Sequence, residues 1–180
     1  MKNTLAIVCA TLHMAACGPG GGFSDKFLNR SIIASPRVVT TVPAVTGDPW
    51  MQEFVEEFYA DAQAKKHNVE NDVVTVSFIS VLPPDIFETN PSVVGFCSYN
   101  QNPNGSEYSR SISILQSTWK LMTWQTKRVL IYHELGHCAL NLDHTPDGSG
   151  SIMDPYLLSD TQSQPDWMGL VDAEFASSGI

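Results

Sequence analysis

Val129-Leu130-Ile131-Tyr132-His133-Glu134-Leu135-Gly136-His137-Cys138-Ala139-Leu140 is an apolar segment interrupted by two histidines four residues apart, with a glutamate directly after the first. On an α-helix, residues four apart lie on one face, a single turn from each other. His133 and His137 can therefore aim at one metal ion, with Glu134 beside them to take a proton from a water that the metal activates. The competing reading is a surface helix with two solvated histidines. The apolar flanks on both sides argue against it and place the helix in the core. Buried imidazoles and a buried carboxylate need partners, and one cation supplies them.

His144 follows seven residues after His137, so three of the chain's five histidines fall within twelve residues. Three protein ligands with a fourth position left open is the pattern of a catalytic zinc site. Asp143, next to His144, is the alternative third ligand. Imidazole suits zinc, and Asp143 could then orient His144 through a hydrogen bond. As a plain loop residue, Asp143 would face water.

Together these segments resemble the metzincin clan of zinc peptidases. Asn141-Leu142-Asp143-His144 is similar to the Gly-x-x-His that closes the zinc loop of that clan. Asn replaces a glycine that is left-handed in the family, and Asn tolerates that conformation next best. The chain departs from the family spacing by one extra residue before the turn, and strict counting would place Asp143 at the ligand position. Ser151-Ile152-Met153-Asp154-Pro155 resembles the methionine turn, whose Met fills space beneath the metal ligands. In some relatives a tyrosine just after that Met stabilises the oxyanion. Tyr156 is the candidate here, although it lies three residues past Met153 rather than two. The resemblance covers Val129 to Tyr156 closely and the remainder in outline. It implies a compact α+β zinc peptidase domain: a small mixed sheet, an N-terminal helix, an active-site helix and a short C-terminal helix.

Residues 1–16 read as an export signal: Lys2 at the start, then Leu5 to Ala16, an apolar stretch too short to span a bilayer. Met14-Ala15-Ala16-Cys17-Gly18 resembles a bacterial lipobox, which implies lipidation at Cys17; ordinary signal cleavage is the alternative. Gly18-Pro19-Gly20-Gly21-Gly22 suits a flexible tether, and residues 17–47 are read as that tether. Gly18 is not the Asp that commonly retains lipoproteins at the inner membrane, so the resemblance implies an exported, outer-membrane protein held through a lipid anchor.

Residues 48–180 remain as one domain, long enough to bury a core. Ten Lys+Arg against nineteen Asp+Glu give a net charge of −9, which argues against nucleic acid and against an electrostatic grip on anionic lipid. The expected partner is a peptide or protein substrate, and the domain is read as a monomer. With Cys9 in the signal and Cys17 lipidated, Cys97 and Cys138 remain as an even pair in an oxidising compartment. A disulfide between them would pin a strand to the motif helix. Two buried free thiols, or either cysteine as a zinc ligand, are the alternatives. Cys138 points about 100° around the helix from His137, which disfavours ligation by it.

Asp48-Pro49 is a helix start, an N-cap acceptor followed by proline in the first turn. Trp50, Phe54, Phe58 and Ala62 form its apolar stripe. Val73 to Leu82 reads as a buried strand that Pro83-Pro84 ends, and Val38–Val42 as a short strand laid on the domain. Val93–Tyr99 and Ser111–Leu115 read as two further strands, with a turn signal at Asn102-Pro103-Asn104-Gly105. The alternation in Ser111-Ile112-Ser113-Ile114 suggests an edge strand able to pair with an extended substrate. Pro165-Asp166 opens a final helix with Trp167, Leu170, Val171 and Phe175 inward.

The expected activity is a zinc-dependent endopeptidase with Glu134 as general base. A lipoprotein that binds zinc or a partner without catalysis is the alternative. A site with Glu174 as third ligand has no Glu-x-x-x-Asp context to support it. A serine or cysteine hydrolase has neither a Gly-x-Ser-x-Gly elbow nor an exposed, electropositive cysteine.

Overall fold

The computed structural model describes residues 48–67, 69, 74–89, 92–101, 108–146 and 148–178. The signal, Cys17, the tether through residue 47, the strand expected at Val38–Val42 and the turn expected at Asn102–Gly105 lie outside them.

The architecture is α+β. Helix α1 spans Pro49–Ala64 and is followed by strand β1 (Val74–Ile79), helix α2 (Pro84–Thr89), and strands β2 (Gly95–Gln101) and β3 (Tyr108–Leu115). A short helix α3 (Gln116–Trp119), the long helix α4 (Trp124–Leu140), a one-turn α5 (Asp160–Ser163) and α6 (Trp167–Ser177) complete the order. The helix starts are chemically plain. Asp48 caps α1 by accepting from Trp50 N at 2.9 Å, Thr123 caps α4 through Thr126 N at 3.1 Å, and Asp166 caps α6 through Gly169 N at 3.1 Å.

The sheet is mixed, ordered β1-β3-β2, with β1 parallel and β2 antiparallel to β3. This corrects the edge-strand reading of Ser111–Leu115, because β3 is the central strand. Its alternation reports the two faces of the sheet rather than an open edge. Ile112 and Ile114 enter the core on one face. On the other, Ser111 Oγ meets Ser98 Oγ at 2.7 Å across the β2–β3 pair.

α4 is the middle of the molecule, packed on β2 and β3 to one side and on α1 to another. Every residue from Val129 to Ala139 is buried, as expected for a helix apolar nearly all round. Phe58 of α1 and Trp167 of α6 set their rings against Tyr132 at 5.3 and 4.8 Å between centroids. Arg128 pairs bidentately with Glu57 of α1, and the Tyr132 hydroxyl donates to Asp61 at 2.7 Å. In the predicted α1 stripe Phe54, Phe58 and Ala62 are fully buried, but Trp50 is 46 % exposed. In the first turn of α1, Trp50 lies at the rim of the core, edge-on to Trp124.

Candidate metal centre

α4 presents His133 and His137 one turn apart, and their rings meet edge-to-face at 4.7 Å between centroids. The helix stops at Asn141, which adopts φ 57°, ψ 37°. That left-handed residue turns the chain back, and Leu142 N donates to Gly136 O at 3.0 Å. His144 then swings its ring to 5.2 Å from that of His133 and 4.8 Å from that of His137. Among the described residues, His133, His137 and His144 form the cluster able to hold a metal, with one ligand atom from each within 4.8 Å of the others. Asp143 is outside this group and exposed.

The hydrogen bonds settle which nitrogens converge. His133 Nδ1 lies 2.7 Å from Ile152 O, and His137 Nδ1 lies 2.5 Å from Leu142 O. A carbonyl oxygen only accepts, so each Nδ1 carries its ring's hydrogen and each Nε2 is left with a bare lone pair. The two Nε2 atoms are 3.2 Å apart. His144 Nε2 is 3.3 Å from His133 Nε2. Burial, and next the charge of His144, pushes the His133 ring down to about 3, against the opposing pull of the Ile152 carbonyl. Burial, then His133 and His144, lowers His137 well below the usual histidine value, opposed by Leu142 O. Both rings are therefore neutral at pH 7, and two neutral lone pairs at that separation repel. A cation between them removes the conflict. Nitrogens held at about 2.0–2.1 Å around a tetrahedral zinc ion lie roughly 3.3–3.4 Å apart, which matches the two spacings made by His133, and the set as a whole lies within 4.8 Å. Two of the three edges thus fit a zinc ion.

Residues 151–156 form the bend under the helix. Asp154 N closes a turn on Ser151 O at 3.1 Å, and Thr145 N bonds to Met153 O at 2.9 Å. The bend thereby reaches the centre twice: Ile152 O fixes the His133 ring, and Met153, 1 % exposed, packs beneath α4. Gly136 makes that packing feasible, since a Cβ there would stand 2.5 Å from Met153 Sδ and 2.7 Å from Glu174 Oε1. Tyr156 is half-buried at the end of the bend, its amide donating to Asp154 Oδ1 at 3.1 Å.

Glu134 is fully buried and lies against β2, where a Cβ on Gly95 would be 2.7 Å from its Oε1. Cys97, two residues along the same strand, is disulfide-bonded to Cys138 with 5.6 Å between Cα atoms. Tyr99, two further, donates from its hydroxyl to His137 O at 3.0 Å, and Arg110 of β3 donates to Cys138 O. The sheet thus grips the last turn of α4 at three successive contacts. Sequence reading did not identify Gly95, Tyr99 or Arg110; a glycine inside the run Val93-Val94-Gly95-Phe96 was the available signal, since glycine in a strand marks close approach. Glu174 is buried behind α4, with no hydrogen-bond partner for its carboxyl oxygens among the described residues. Burial, with Asp61 adding to it, raises its pKa well above the usual carboxyl value. It is not part of the histidine cluster. No known protein family, curated protein or solved structure matches this chain.

Proposed function

We propose that the chain is a metzincin-like zinc endopeptidase, exported and held at a bacterial outer membrane through lipid on Cys17. The observation that carries the catalytic part is the pair of bare Nε2 atoms of His133 and His137 at 3.2 Å, with His144 closing the third corner and Glu134 next in sequence to His133. Bound zinc would supply Lewis acidity, polarising a peptide carbonyl and making a water acidic near neutral pH. Glu134 then takes the proton from the attacking water and returns it to the leaving amine. Its burial against Gly95 keeps bulk water away from the carboxylate. Met153 supports the helix beneath the ligands, and Tyr156 is the candidate to hold the oxyanion.

An extended peptide substrate is supported by β2. Leu115 N bonds to Val94 O, and the register continues from there. It follows that Gly95, Cys97 and Tyr99 turn their backbone N–H and C=O groups away from β3. The sheet order leaves β2 at its border, and Val93, just before that edge, already makes a β-bridge. The edge begins at the residue beside Glu134, and peptide backbone can add to it as a further strand.

The alternative, a lipoprotein that binds metal or a partner without turnover, is favoured by one observation: Glu134 is 0 % exposed. Two measurements decide. The purified protein should contain one zinc per chain, lost in His144→Ala. Glu134→Gln should retain zinc and lose about 10²–10⁴-fold in cleavage of a peptide library. Zinc binding with no cleavage by the parent protein would establish the alternative instead.

A further inference from the structure

The end of the molecule where the chain enters at Asp48 carries an aromatic and aliphatic face that nothing in the catalytic reading uses. Trp50 is 46 % exposed, Trp124 42 % and Leu121 86 %. Trp50 and Trp124 form one surface, and Leu121 lies three residues before Trp124. The Trp50 and Trp124 rings meet at 6.5 Å, and Leu121 sits on the turn between α3 and α4. The Trp119 indole N–H, from α3, ties that turn to α1 by donating to Asp48 Oδ2 at 2.8 Å. The electrostatics of this end are mild. Lys120 is exposed and Lys127 lies over the Trp119 ring. Asp48 and Glu57 are engaged by Trp119 and Arg128, and Asp160 accepts from Thr123 and Thr126. Among the described residues, Glu53 is the exposed acid one turn from Trp50.

We infer that the face formed by Trp50, Leu121 and Trp124 is a membrane-seating surface that inserts into the headgroup region of a lipid bilayer. Tryptophan rings with one polar edge prefer that boundary. The occupant is identified by where the chain enters. Residues 18–47 separate Cys17 from Asp48, and thirty residues can extend roughly 100 Å. A tether of that reach does not choose which face meets the lipid, so the exposed apolar face makes the choice. Its position at the tether's point of attachment lets it seat without the chain crossing the domain. A net charge of −9 makes apolar burial, not attraction to anionic headgroups, the driving term. The inference rests on the lipid-anchor reading for its setting.

The test uses the chain from residue 17 onward carrying Cys17→Ser, so that neither the apolar residues 5–16 nor an acyl group masks weak binding, mixed with phosphatidylcholine vesicles bearing brominated acyl chains. Trp119 and Trp167 are 1 % and 7 % exposed, so changes in tryptophan emission report Trp50 and Trp124. The expected result is quenching by the brominated lipid. Vesicle affinity should fall at least about tenfold when Trp50→Ser, Leu121→Ser and Trp124→Ser are combined. Should that triple variant fail to fold, Leu121→Asp alone at its exposed position should give the same direction. Equal vesicle binding by parent and variant overturns the inference. So does emission already blue-shifted without vesicles, whether in a dimer that the substitutions dissolve or in a monomer whose residues 18–47 cover the face. Incorporation of labelled palmitate into the wild-type chain reads the anchor separately: its absence refutes lipidation at Cys17 and leaves the vesicle result standing.

Discussion

Tyr99 and Arg110 lie directly opposite each other across β2 and β3 and donate to consecutive carbonyls of α4, Tyr99 to His137 and Arg110 to Cys138. Theirs is a non-hydrogen-bonded pair of the ladder, where facing side chains come closest, and the Arg110 guanidinium lies over the Tyr99 ring at 5.2 Å. The last carbonyls of a helix have no partner within it. Here the sheet supplies them at the turn that carries His137. Tyr99→Phe should cost about 1 kcal/mol of stability and Arg110→Met about 2–3 kcal/mol, read from denaturant melts. Each should also weaken zinc binding about tenfold in competition with a chromophoric chelator. Unchanged zinc affinity in both variants would show that the grip serves the fold alone.

Gly95 lies between the Glu134 carboxylate and the sheet. A methyl group there would meet Glu134 Oε1 at 2.7 Å and Ile114 Cδ1 at 2.9 Å, both at the ends of side chains that can turn. Gly95→Ala should therefore displace the Glu134 carboxylate and leave the fold standing. The expected outcome is a kcat at least about tenfold lower, zinc content unchanged, and a melt shifted by less than about 1 kcal/mol. A fully active variant would show that Glu134 does not work from this position.

The Cys97–Cys138 bond joins residues 41 apart. Replacing both by alanine should remove roughly 2–4 kcal/mol, measured by chemical denaturation. Reduction of the wild-type protein under denaturing conditions should lower its refolding midpoint by the same amount. The variant should also lose zinc faster, because Cys138 follows His137 directly.

Glu174 gives a pH signature. Its folded pKa is raised, by burial first and by Asp61 second, so the folded chain holds a proton that the unfolded chain releases. The stability it contributes is complete below the unfolded carboxyl value of about 4.3 and declines as pH rises towards the folded value. Glu174→Gln cannot ionise. Relative to wild type it should gain stability as pH rises from the unfolded carboxyl value towards the folded one, by denaturant midpoints. A difference that does not change with pH would contradict the assignment.

The histidine cluster was legible because its parts are local. His133, His137 and His144 span twelve residues; helical period places the first two, and the backbone tolerance of Asn141 accounts for the third. The Asp48-Pro49 start of α1 was legible for the same reason, being a matter of neighbours in sequence. What could not be read is contact between distant segments. Alternation in Ser111–Leu115 shows that the strand has two different faces, but not that β1 would pair in parallel on its far side. The stripe over α1 has the right period, yet where the core ends, between Trp50 and Phe54, depends on α3 and α4. The carbonyls of Ile152 and Leu142 that orient the two rings carry no signature in any side chain.

The ring closed by Cys97 and Cys138 encloses His133, Glu134 and His137 but leaves His144 and the methionine bend outside. Those three side chains are laced to the sheet by a covalent stitch, while His144 hangs on ordinary hydrogen bonds such as Thr145 to Met153. Loosening of the segment from Leu142 to Pro146 alone would therefore swing the third imidazole away, with α6 still seated against Tyr132.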